Sequence, residues 1–254
     1  MMSEHLDAAV IDCRFLEWDS TFFGLRIARA EPSAVRAERG TLVEQWCDAN
    51  NIDCVYLLSD VSDQSTIESA ESAGFRLVDI RMTLDVKLSD AVSAAVGPAH
   101  GVVRAASPDD VAALKAIARQ SHRETRFYAD GHFDPRRCDD MYETWIERSC
   151  RGWAERVVVA EVEGAPAGYV TCHVRAPGVG QIGLVAVDAS RRGLGLGLVM
   201  LDAALHWFVS QNVTNVSVVT QARNVKAVRV YQRAGFSVAS IQLWYHKWVA
   251  RSRS

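Results

Sequence analysis

Three glycines at alternate positions, Gly193, Gly195 and Gly197, stand directly before an apolar helical pattern in the stretch SRRGLGLGLVML. Glycine inside a regular element costs roughly 0.5–1 kcal/mol relative to alanine, so three together indicate that another group approaches the backbone closely. A helix N-terminus offers free N–H groups and a favourable dipole to a phosphate. Arg192 adds a charged donor beside the first glycine. The alternative is a glycine-rich helix start that packs closely on a sheet.

The spacing distinguishes between kinds of phosphate loop. A dinucleotide fingerprint GxGxxG that begins at Gly193 requires glycine at position 198, where the chain has leucine. A P-loop requires a lysine followed by serine or threonine, and no lysine stands here. The pattern that fits is Arg-x-x-Gly-x-Gly over residues 192–197, after the strand-like stretch GLVAVD.

A second motif, NxxAxxxYxxxGF, runs from Asn224 to Phe236 on the next predicted helix. Asn224 and Tyr231 are seven residues apart, two helical turns, and therefore share one face. Ala227 keeps that face low, and Tyr231 offers a hydroxyl group. The alternative is that Tyr231 is a core tyrosine of an amphipathic helix.

With a strand before each of them, the two motifs resemble those of the GCN5-related N-acetyltransferases, the GNAT family. The resemblance implies an α/β GNAT fold, with a mixed and mostly antiparallel central sheet flanked by helices, and acetyl-CoA as cosubstrate. It implies a strand that separates from its neighbour and offers backbone groups to the pantetheine arm. It also implies direct transfer to an amine with Tyr231 as general acid. The residues implied to bind acetyl-CoA are Val185, Ala186, Val187, Arg192, Gly193, Leu194, Gly195, Leu196, Gly197, Asn224 and Ala227.

A base for the incoming amine is harder to find. Many members of the family have a carboxylate on the strand before the glycine loop, but APGVGQIGLVAV contains none. His173, on the neighbouring predicted strand, alternates with Tyr169 and Thr171, so the three share a face. His173 is a candidate base, directly or through water. The alternatives are a structural strand histidine and a water-mediated route without a single base.

The stretches WDSTFFG, FYAD and QLWYHKW extend the resemblance over nearly the whole chain, to the TDP-fucosamine acetyltransferase subgroup. This implies a small-molecule partner, a nucleotide-linked (TDP) 4-amino-4,6-dideoxy sugar. Arg123 and Arg126 are candidates to meet its diphosphate, and Phe127, Tyr128 and Tyr169 to line the acceptor site. The alternative is a helix–helix connector with solvated arginines and one anchoring aromatic residue.

Two other functions stay open. One is acetylation of a different amine, such as an aminoglycoside or a protein N-terminus; a polyamine is disfavoured because the chain has no acidic run. The other is a non-catalytic acyl-CoA-binding module.

Small residues, proline and glycine in residues 89–101 predict a domain boundary. We expect a smaller N-terminal α/β domain over residues 1–95 and the GNAT domain over residues 101–254. In the first, the patterns predict a strand over 14–30, a helix over 32–51 and a further strand, helix and long strand. In the second, they predict two capped helices, three antiparallel strands, then helix, strand, helix and strand.

One internal match joins the two predicted domains. ESAGFRLVDI (71–80) and QRAGFSVASI (232–241) both end a helix with AGF and enter a strand. A half-duplication explains the match, but so does a glycine cap, and the local explanation is favoured.

Composition excludes several classes of protein. The chain has 254 residues, 49% of them hydrophobic, and a formal net charge of -3. This balance disfavours nucleic-acid and polybasic membrane surfaces. The six cysteines lack metal-ligand spacing, so reduced thiols and no metal are expected. The pattern contains no signal peptide and no membrane span, which predicts a cytoplasmic protein. Aromatic residues near the C-terminus fit either a homodimer contact or the chain's own core.

Overall fold

A computed structural model of the chain describes residues 12–36, 40–88 and 101–249. Strands within these ranges are β1 (Cys13–Phe15), β2 (Ile27–Ala30), β3 (Cys54–Asp60), β4 (Arg76–Lys87), β5 (Val102–Ala105), β6 (Arg156–Val162), β7 (Ala165–Ala176), β8 (Val179–Val187), β9 (Asn215–Gln221) and β10 (Ser237–Trp248). Helices there are α1 (Glu17–Phe23), α2 (Pro32–Val35), α3 (Gly40–Ala49), α4 (Gln64–Ser72), α5 (Val111–Gln120), α6 (Arg126–Asp130), α7 (Pro135–Arg148), α8 (Leu196–Ser210) and α9 (Val225–Arg233).

The chain divides into two compact units. One comprises residues 1–79 with 242–254, and the other residues 80–241. The division therefore falls inside β4 and inside β10. The predicted boundary at 89–101 lies, apart from its last residue, outside the described residues, so the domains 1–95 and 101–254 stay a prediction.

The unit of residues 80–241 has a sheet in the order β4, β9, β8, β7, β6, β5. Neighbouring strands are antiparallel except β8 and β9, which are parallel. This confirms the predicted mixed, mostly antiparallel sheet. Helix α8 contacts β6, β7 and β8, and its buried residues Met200, Ala204 and Phe208 recur every four positions. Gly168 on β7 allows this close packing, because a Cβ there would lie 2.8 Å from the Met200 Cε atom.

The unit of residues 1–79 and 242–254 has its own core. Strands β2 and β3 are parallel, while β1 pairs with β2 and β10 with β3 in antiparallel fashion. Val43 and Cys47 of α3 pack with Val55, Leu57 and Tyr245 from this sheet. Burial of such side chains is the main contribution to the stability of the unit.

The predicted strand over 14–30 is wrong in its middle, where α1 separates β1 from β2. Trp18 and Phe22, four residues apart, stack at 5.0 Å between ring centroids. Gly24 ends the helix in the left-handed conformation, and its N–H bonds to the Ser20 carbonyl. The buried Ser20 hydroxyl accepts a hydrogen bond from the Ile27 N–H, which turns the chain back into the sheet. Aromatic residues favour strands, but here the four-residue spacing of Trp18 and Phe22 and the cap at Gly24 favour a helix.

The single helix predicted over 32–51 is also wrong, because α2 ends at Val35 and α3 begins at Gly40. Arg36 has an extended conformation, with φ -65° and ψ 159°. Its side chain is bound at the start of α4, where it donates to the Thr66 hydroxyl at 2.8 Å and pairs with Asp63. These contacts hold Arg36 outside a helix.

The remaining predicted elements are confirmed, including the final strand over 237–248. The caps predicted for the two helices of the second domain are present: Ser107 forms a capping box with Asp110, and Asp134 accepts from the Arg136 N–H. The prediction missed β5, α6 and the π-helical turn Ser149–Trp153. In the described ranges no helix is long and apolar enough to cross a bilayer.

The internal match is far longer than its sequence signal. Adding 161 to each residue number of β3, α4 and β4 gives the bounds of β9, α9 and β10 in turn. The last residues of α3 and α8, Ala49 and Ser210, are also 161 residues apart. Asn51 and Asn212, also 161 apart, both have positive φ, at 53° and 57°. We name residues 40–87 the first repeat and residues 201–248 the second repeat. A local glycine cap does not set the lengths of four elements and their loops, so the favoured local explanation is too narrow.

Strand pairing repeats with the same register. The parallel pairs Ile27–Cys54 to Ala30–Leu57 have their counterparts in Val179–Asn215 to Ile182–Val218. The antiparallel pair of β4 with β9 and that of β10 with β3 are reciprocal under the same offset. Residues 81–87 of the first repeat therefore pair with β9 of the second repeat, and residues 242–248 of the second repeat pair with β3 of the first.

Candidate functional site

Strand β8 separates from β9 at a defined residue. Their parallel pairing ends at Ile182 and Val218, although β8 continues to Val187 and β9 to Gln221. On its other side β8 stays paired with β7, with Tyr169 opposite Ala186 and Gly168 opposite Val187. The backbone of residues 183–187 thus has an edge that is not paired with β9. This is the separation expected at Val185, Ala186 and Val187.

A β-bulge accompanies the separation. The register of β7 and β8 shifts between Val170 and Cys172. Within the shift the Thr171 hydroxyl accepts a hydrogen bond from the Leu184 N–H at 2.8 Å. Bulges redirect a strand locally, and this one lies where β8 leaves β9.

A local hydrogen bond, a short turn and two glycines shape the connection from β8 to α8. The Asp188 carboxylate accepts from the Ser190 N–H at 2.8 Å, and a short 3₁₀ turn follows at Ala189–Arg191. Gly193 and Gly195 then have φ of 86° and 76°, which L side chains rarely adopt. A Cβ at either position would meet nothing within 4 Å. Backbone conformation, rather than close packing, therefore requires these two glycines.

The N-terminus of α8 leaves amide groups free. Its N-cap, Gly195, has no side chain to cap the helix, and the Gly195 carbonyl accepts from Leu198 and Val199. Among the described residues no acceptor is found for the N–H groups of Leu196 and Gly197. Free amides and the dipole of a 15-residue helix favour an anion here.

The third glycine and the arginine complete this loop. A Cβ at Gly197 would lie 3.6 Å from the Val230 side chain, an ordinary contact, so the fold does not require glycine there. Arg192 is exposed and makes a long contact of 3.4 Å from its Nε to the Val187 carbonyl. Arg191, by contrast, is paired with Glu163 at 2.6 Å. Arg192 is the loop arginine whose side chain forms no ion pair within the described residues.

Two residues of the second motif have different roles in helix α9: Asn224 caps the helix, and Tyr231 is buried. Asn224 is the N-cap, and its side-chain oxygen accepts from the Ala227 N–H at 3.2 Å. Tyr231 is 5% exposed and packs edge-on against Phe236, with 6.0 Å between ring centroids. Burial raises the pKa of Tyr231, so its phenol stays protonated at neutral pH. Its hydroxyl has no hydrogen-bond partner in the part of the chain that the structure describes.

The predicted polar face of β7 is present. Val170 and Cys172 belong to the core beneath α8, whereas Tyr169, Thr171 and His173 alternate with them. The Tyr169 hydroxyl contacts His122 Nε2 at 3.1 Å, and the His122 ring stacks on Tyr142. Desolvation lowers the pKa of His122 to about 4.

The candidate acceptor segment, residues 121–134, contains α6 and is largely packed. Phe127 is 5% exposed and lies edge-on against Phe133, with the Arg126 guanidinium 4.2 Å from its ring. Arg123 pairs with Asp139 at 3.2 Å. The Tyr128 hydroxyl donates to the same carboxylate at 2.6 Å, and desolvation raises the Tyr128 pKa.

Asp139 was missed by the sequence analysis, as was His122. The signal for Asp139 was available: it lies beside Cys138 on the apolar side of amphipathic α7, and both are buried. A carboxylate on the buried face of a helix needs a cationic or hydrogen-bonding partner. The signal for His122 was absent, because its position depends on a left-handed residue after α5, with φ 58°.

Comparison with known proteins identifies a domain in this chain. The model of the acetyltransferase (GNAT) family matches residues 115–236. Residues 115–236 therefore form a GNAT domain. The GNAT domain and acetyltransferase relatives support an N-acetyltransferase, and the GNAT family in general uses acetyl-CoA.

Individual relatives extend the likeness over the rest of the chain. A dTDP-fucosamine acetyltransferase of Escherichia coli O6:H1 is 25% identical over an alignment of 236 residues that covers 91% of this chain and 96% of that protein. A GCN5-related N-acetyltransferase from Sphaerobacter thermophilus has a TM-score of 0.69 at 21% identity and covers 94% of this chain and 76% of its own. A tandem GNAT protein from the clavulanic acid biosynthesis pathway has a TM-score of 0.59 at 17% identity, over 89% of this chain and 76% of its own.

Proposed function

We propose that this GNAT enzyme transfers the acetyl group of acetyl-CoA to the amino group of a TDP-linked 4-amino-4,6-dideoxy sugar. The observation that carries the acetyl-CoA part is the pair of free amides at Leu196 and Gly197, reached through Gly193 and Gly195 in left-handed conformations. It follows directly on a strand whose edge is open from residue 183. An anionic diphosphate fits the first feature and an extended amide chain the second.

Each predicted cofactor residue has a role in this proposal. Val185, Ala186 and Val187 offer backbone groups to the pantetheine amides. Residues 192–197 hold the diphosphate through backbone N–H groups and the Arg192 guanidinium. Ala227 leaves room beside α9. Asn224 acts indirectly, because its side chain already caps α9.

Tyr231 is proposed as the general acid. When bound, acetyl-CoA supplies an acetyl thioester as the acyl donor. Tyr231 holds a phenolic proton at neutral pH because burial disfavours the phenolate. It therefore supplies the proton that the departing sulfur needs, and the new C–N bond forms by direct attack of the amine.

Support for the sugar acceptor comes from the relative named a dTDP-fucosamine acetyltransferase, because its likeness spans 91% of this chain. That span takes in residues before 115, which the family model does not match. An N-terminal domain over residues 1–95 is part of the same proposal.

The acceptor site is proposed along residues 123–128 and Tyr169. Arg123 and Arg126 supply positive charge for the TDP diphosphate, and Tyr128 with Asp139 supplies polar contacts. Phe127 is too buried to stack on a sugar without movement, so its proposed role is to support α6.

A homodimer also stays a proposal.

A thiol-release assay with acetyl-CoA tests the proposal. The acceptor panel contains TDP-linked 4-amino and 3-amino dideoxyhexoses, an aminoglycoside and spermidine, with each product mass measured. We expect selective turnover of the TDP-linked 4-amino sugar. Turnover of the aminoglycoside alone contradicts the nucleotide-sugar acceptor and supports acetylation of another amine.

A further inference from the structure

The imidazole of His173 lies in the space that a side chain at position 183 of β8 would need, and residue 183 is glycine. A Cβ built on Gly183 would lie 2.7 Å from His173 Nε2 and 2.8 Å from the Thr171 hydroxyl oxygen. No side chain at position 183 can share that space with the imidazole edge. Gly183 is exposed, whereas His173 is 2% exposed. Nε2 therefore lies directly behind an open stretch of backbone.

Gly183 also has a special position along β8. The last pair of β8 with β9 is Ile182 with Val218, so Gly183 is the first residue of the separated edge. Under the proposed function, this edge receives the pantetheine arm. The imidazole edge is thus next to the point where the two strands part.

The surroundings of His173 do not explain it as a structural histidine. Its Nδ1 is buried, and the Trp153 backbone lies near enough to favour the charged ring but not in hydrogen-bond geometry. Thr171 beside it is already engaged by the Leu184 N–H. The Trp153 ring packs on the imidazole at 5.3 Å, and Trp153 itself is 50% exposed. A buried polar atom without a partner costs free energy, and a catalytic role is one explanation for its presence.

Burial, more than the surrounding charges, favours the neutral form of the ring. Burial lowers the pKa of His173, and Arg175 on the same strand lowers it further. Glu155 and the Trp153 backbone favour the charged form but do not outweigh burial. Gln181, opposite His173 across β8, is uncharged and accepts from Arg175.

We propose that His173, at the gap left by Gly183, is the proton acceptor for the ammonium form of the acceptor amine. This inference rests on the proposed acetyl transfer. One N–H bond of the ammonium breaks, and that proton binds to Nε2, directly or through one water molecule. The amine keeps the electron pair and becomes the neutral nucleophile. The imidazolium then releases its proton to water, which restores the base. Residues 179–187 carry no carboxylate that competes for this role.

The first test is the pH dependence of kcat/KM for whichever panel amine is turned over. His173→Gln is expected to lower kcat/KM by about 10²–10⁴-fold and to remove the acidic limb that the imidazole imposes. Added imidazole is expected to restore part of the rate. His206→Gln on α8 is the matched control, because His206 pairs with Asp202 and contacts the Asp202 carbonyl. We expect it to stay within twofold of the wild type. An unchanged acidic limb in His173→Gln overturns the proposal, whatever the loss in rate.

The second test needs no acceptor and so separates failure of this inference from failure of the substrate proposal. ¹⁵N-labelled imidazole resonances are recorded by NMR with and without acetyl-CoA, and His173 is assigned from its absence in His173→Gln. We expect the His173 resonance to shift and that of His206 to stay in place. An unshifted His173 resonance at saturating acetyl-CoA overturns the proposed location.

A third variant changes the gap rather than the histidine. Gly183→Ala places a methyl carbon 2.7 Å from His173 Nε2, so the ring has to move. We expect kcat to fall at least tenfold while the Kd for acetyl-CoA changes less than threefold and the thermal midpoint stays within a few degrees. Wild-type kcat in this variant overturns the proposal.

Discussion

The first and second repeats have the same succession of helix, strand, helix and strand, and the second repeat contains Asn224 and Tyr231 of the candidate site. At the position of Tyr231 the first repeat has Ala70, which is fully buried. Both helices begin with a side-chain cap, Asp63 on Thr66 and Asn224 on Ala227. The scaffold is therefore common to the two repeats, and the chemistry belongs to a few positions.

The connections that precede the repeats differ more than the repeats do. From the last β2–β3 pair at Ala30 to the start of the first repeat at Gly40 is ten residues. The counterpart of Gly40 in the second repeat is Leu201. It lies nineteen residues after Ile182, where the pairing of β8 with β9 ends. The longer connection contains the separated edge of β8 and the glycine loop. The shorter one, residues 31–39, contains no glycine and starts with Glu31, which pairs with Arg29. The Glu31 carboxylate disfavours a diphosphate at this place.

The largest expected effect is on Tyr231, the position where the two repeats differ in chemistry. Tyr231→Phe keeps the buried ring and removes the proton, so kcat is expected to fall by about 10²–10⁴-fold with little change in the Kd for acetyl-CoA. Steady-state kinetics and calorimetric binding measure both quantities.

The control is Tyr245→Phe, which removes a hydroxyl near Glu71 in the other unit. We expect kcat to stay within twofold. Equal losses in the two variants refute the acid role of Tyr231.

Two glycines with the same φ sharpen the comparison. Gly195 and Gly74 both have φ 76° and nothing within 4 Å of an added Cβ. Alanine at either position is expected to cost about 1–2 kcal/mol of stability, because L residues disfavour this conformation. Only Gly195→Ala is expected to raise the Kd for acetyl-CoA, by roughly tenfold or more. Thermal unfolding and calorimetry check the pair, and an equal rise in Kd for Gly74→Ala removes the anion loop from the explanation.

The number of binding sites tests the comparison as a whole. Because residues 31–39 contain no glycine and the Arg36 side chain pairs with Asp63, we expect one acetyl-CoA per chain by isothermal titration calorimetry. Two equivalents per chain show that the first repeat also binds it.

The smallest effect concerns the two caps. Asp63→Ala and Asn224→Ala are each expected to cost about 1 kcal/mol. The Thr66 hydroxyl and the Arg36 side chain lower the pKa of Asp63, so its contribution exists above the usual carboxyl pKa and is lost as the pH falls through the folded-state value. The Asn224 contribution carries no such dependence.

Thermal unfolding of both cap variants against the wild type, at neutral pH and toward about pH 2, checks this difference. The deficit of Asp63→Ala is expected to shrink in acid while that of Asn224→Ala persists. A deficit of Asp63→Ala that is constant with pH contradicts the charged cap.

The sequence predicts the parts of the fold that depend on local patterns. Periodicity and caps give β4, α5, α7 and the final strand, and the spacing of glycines gives the loop before α8. The register of β7 and β8, which puts Gly183 against His173, depends on pairing between distant residues and a bulge. The same holds for Asp139, which becomes the partner of Arg123 and Tyr128 only when α6 folds back on α7. Long-range packing, not propensity, decides such contacts.

The reciprocal pairing of the repeats has a consequence for synthesis on the ribosome. Strand β3 is made early, but its antiparallel partner is residues 242–248 of β10. At about 5–20 residues per second, the partner emerges roughly ten to forty seconds after β3. During this time one edge of β3 is an open template for pairing with other chains. Nascent chains of this enzyme therefore depend on protection of that edge, and overproduction at high rates favours aggregation before the last strand arrives.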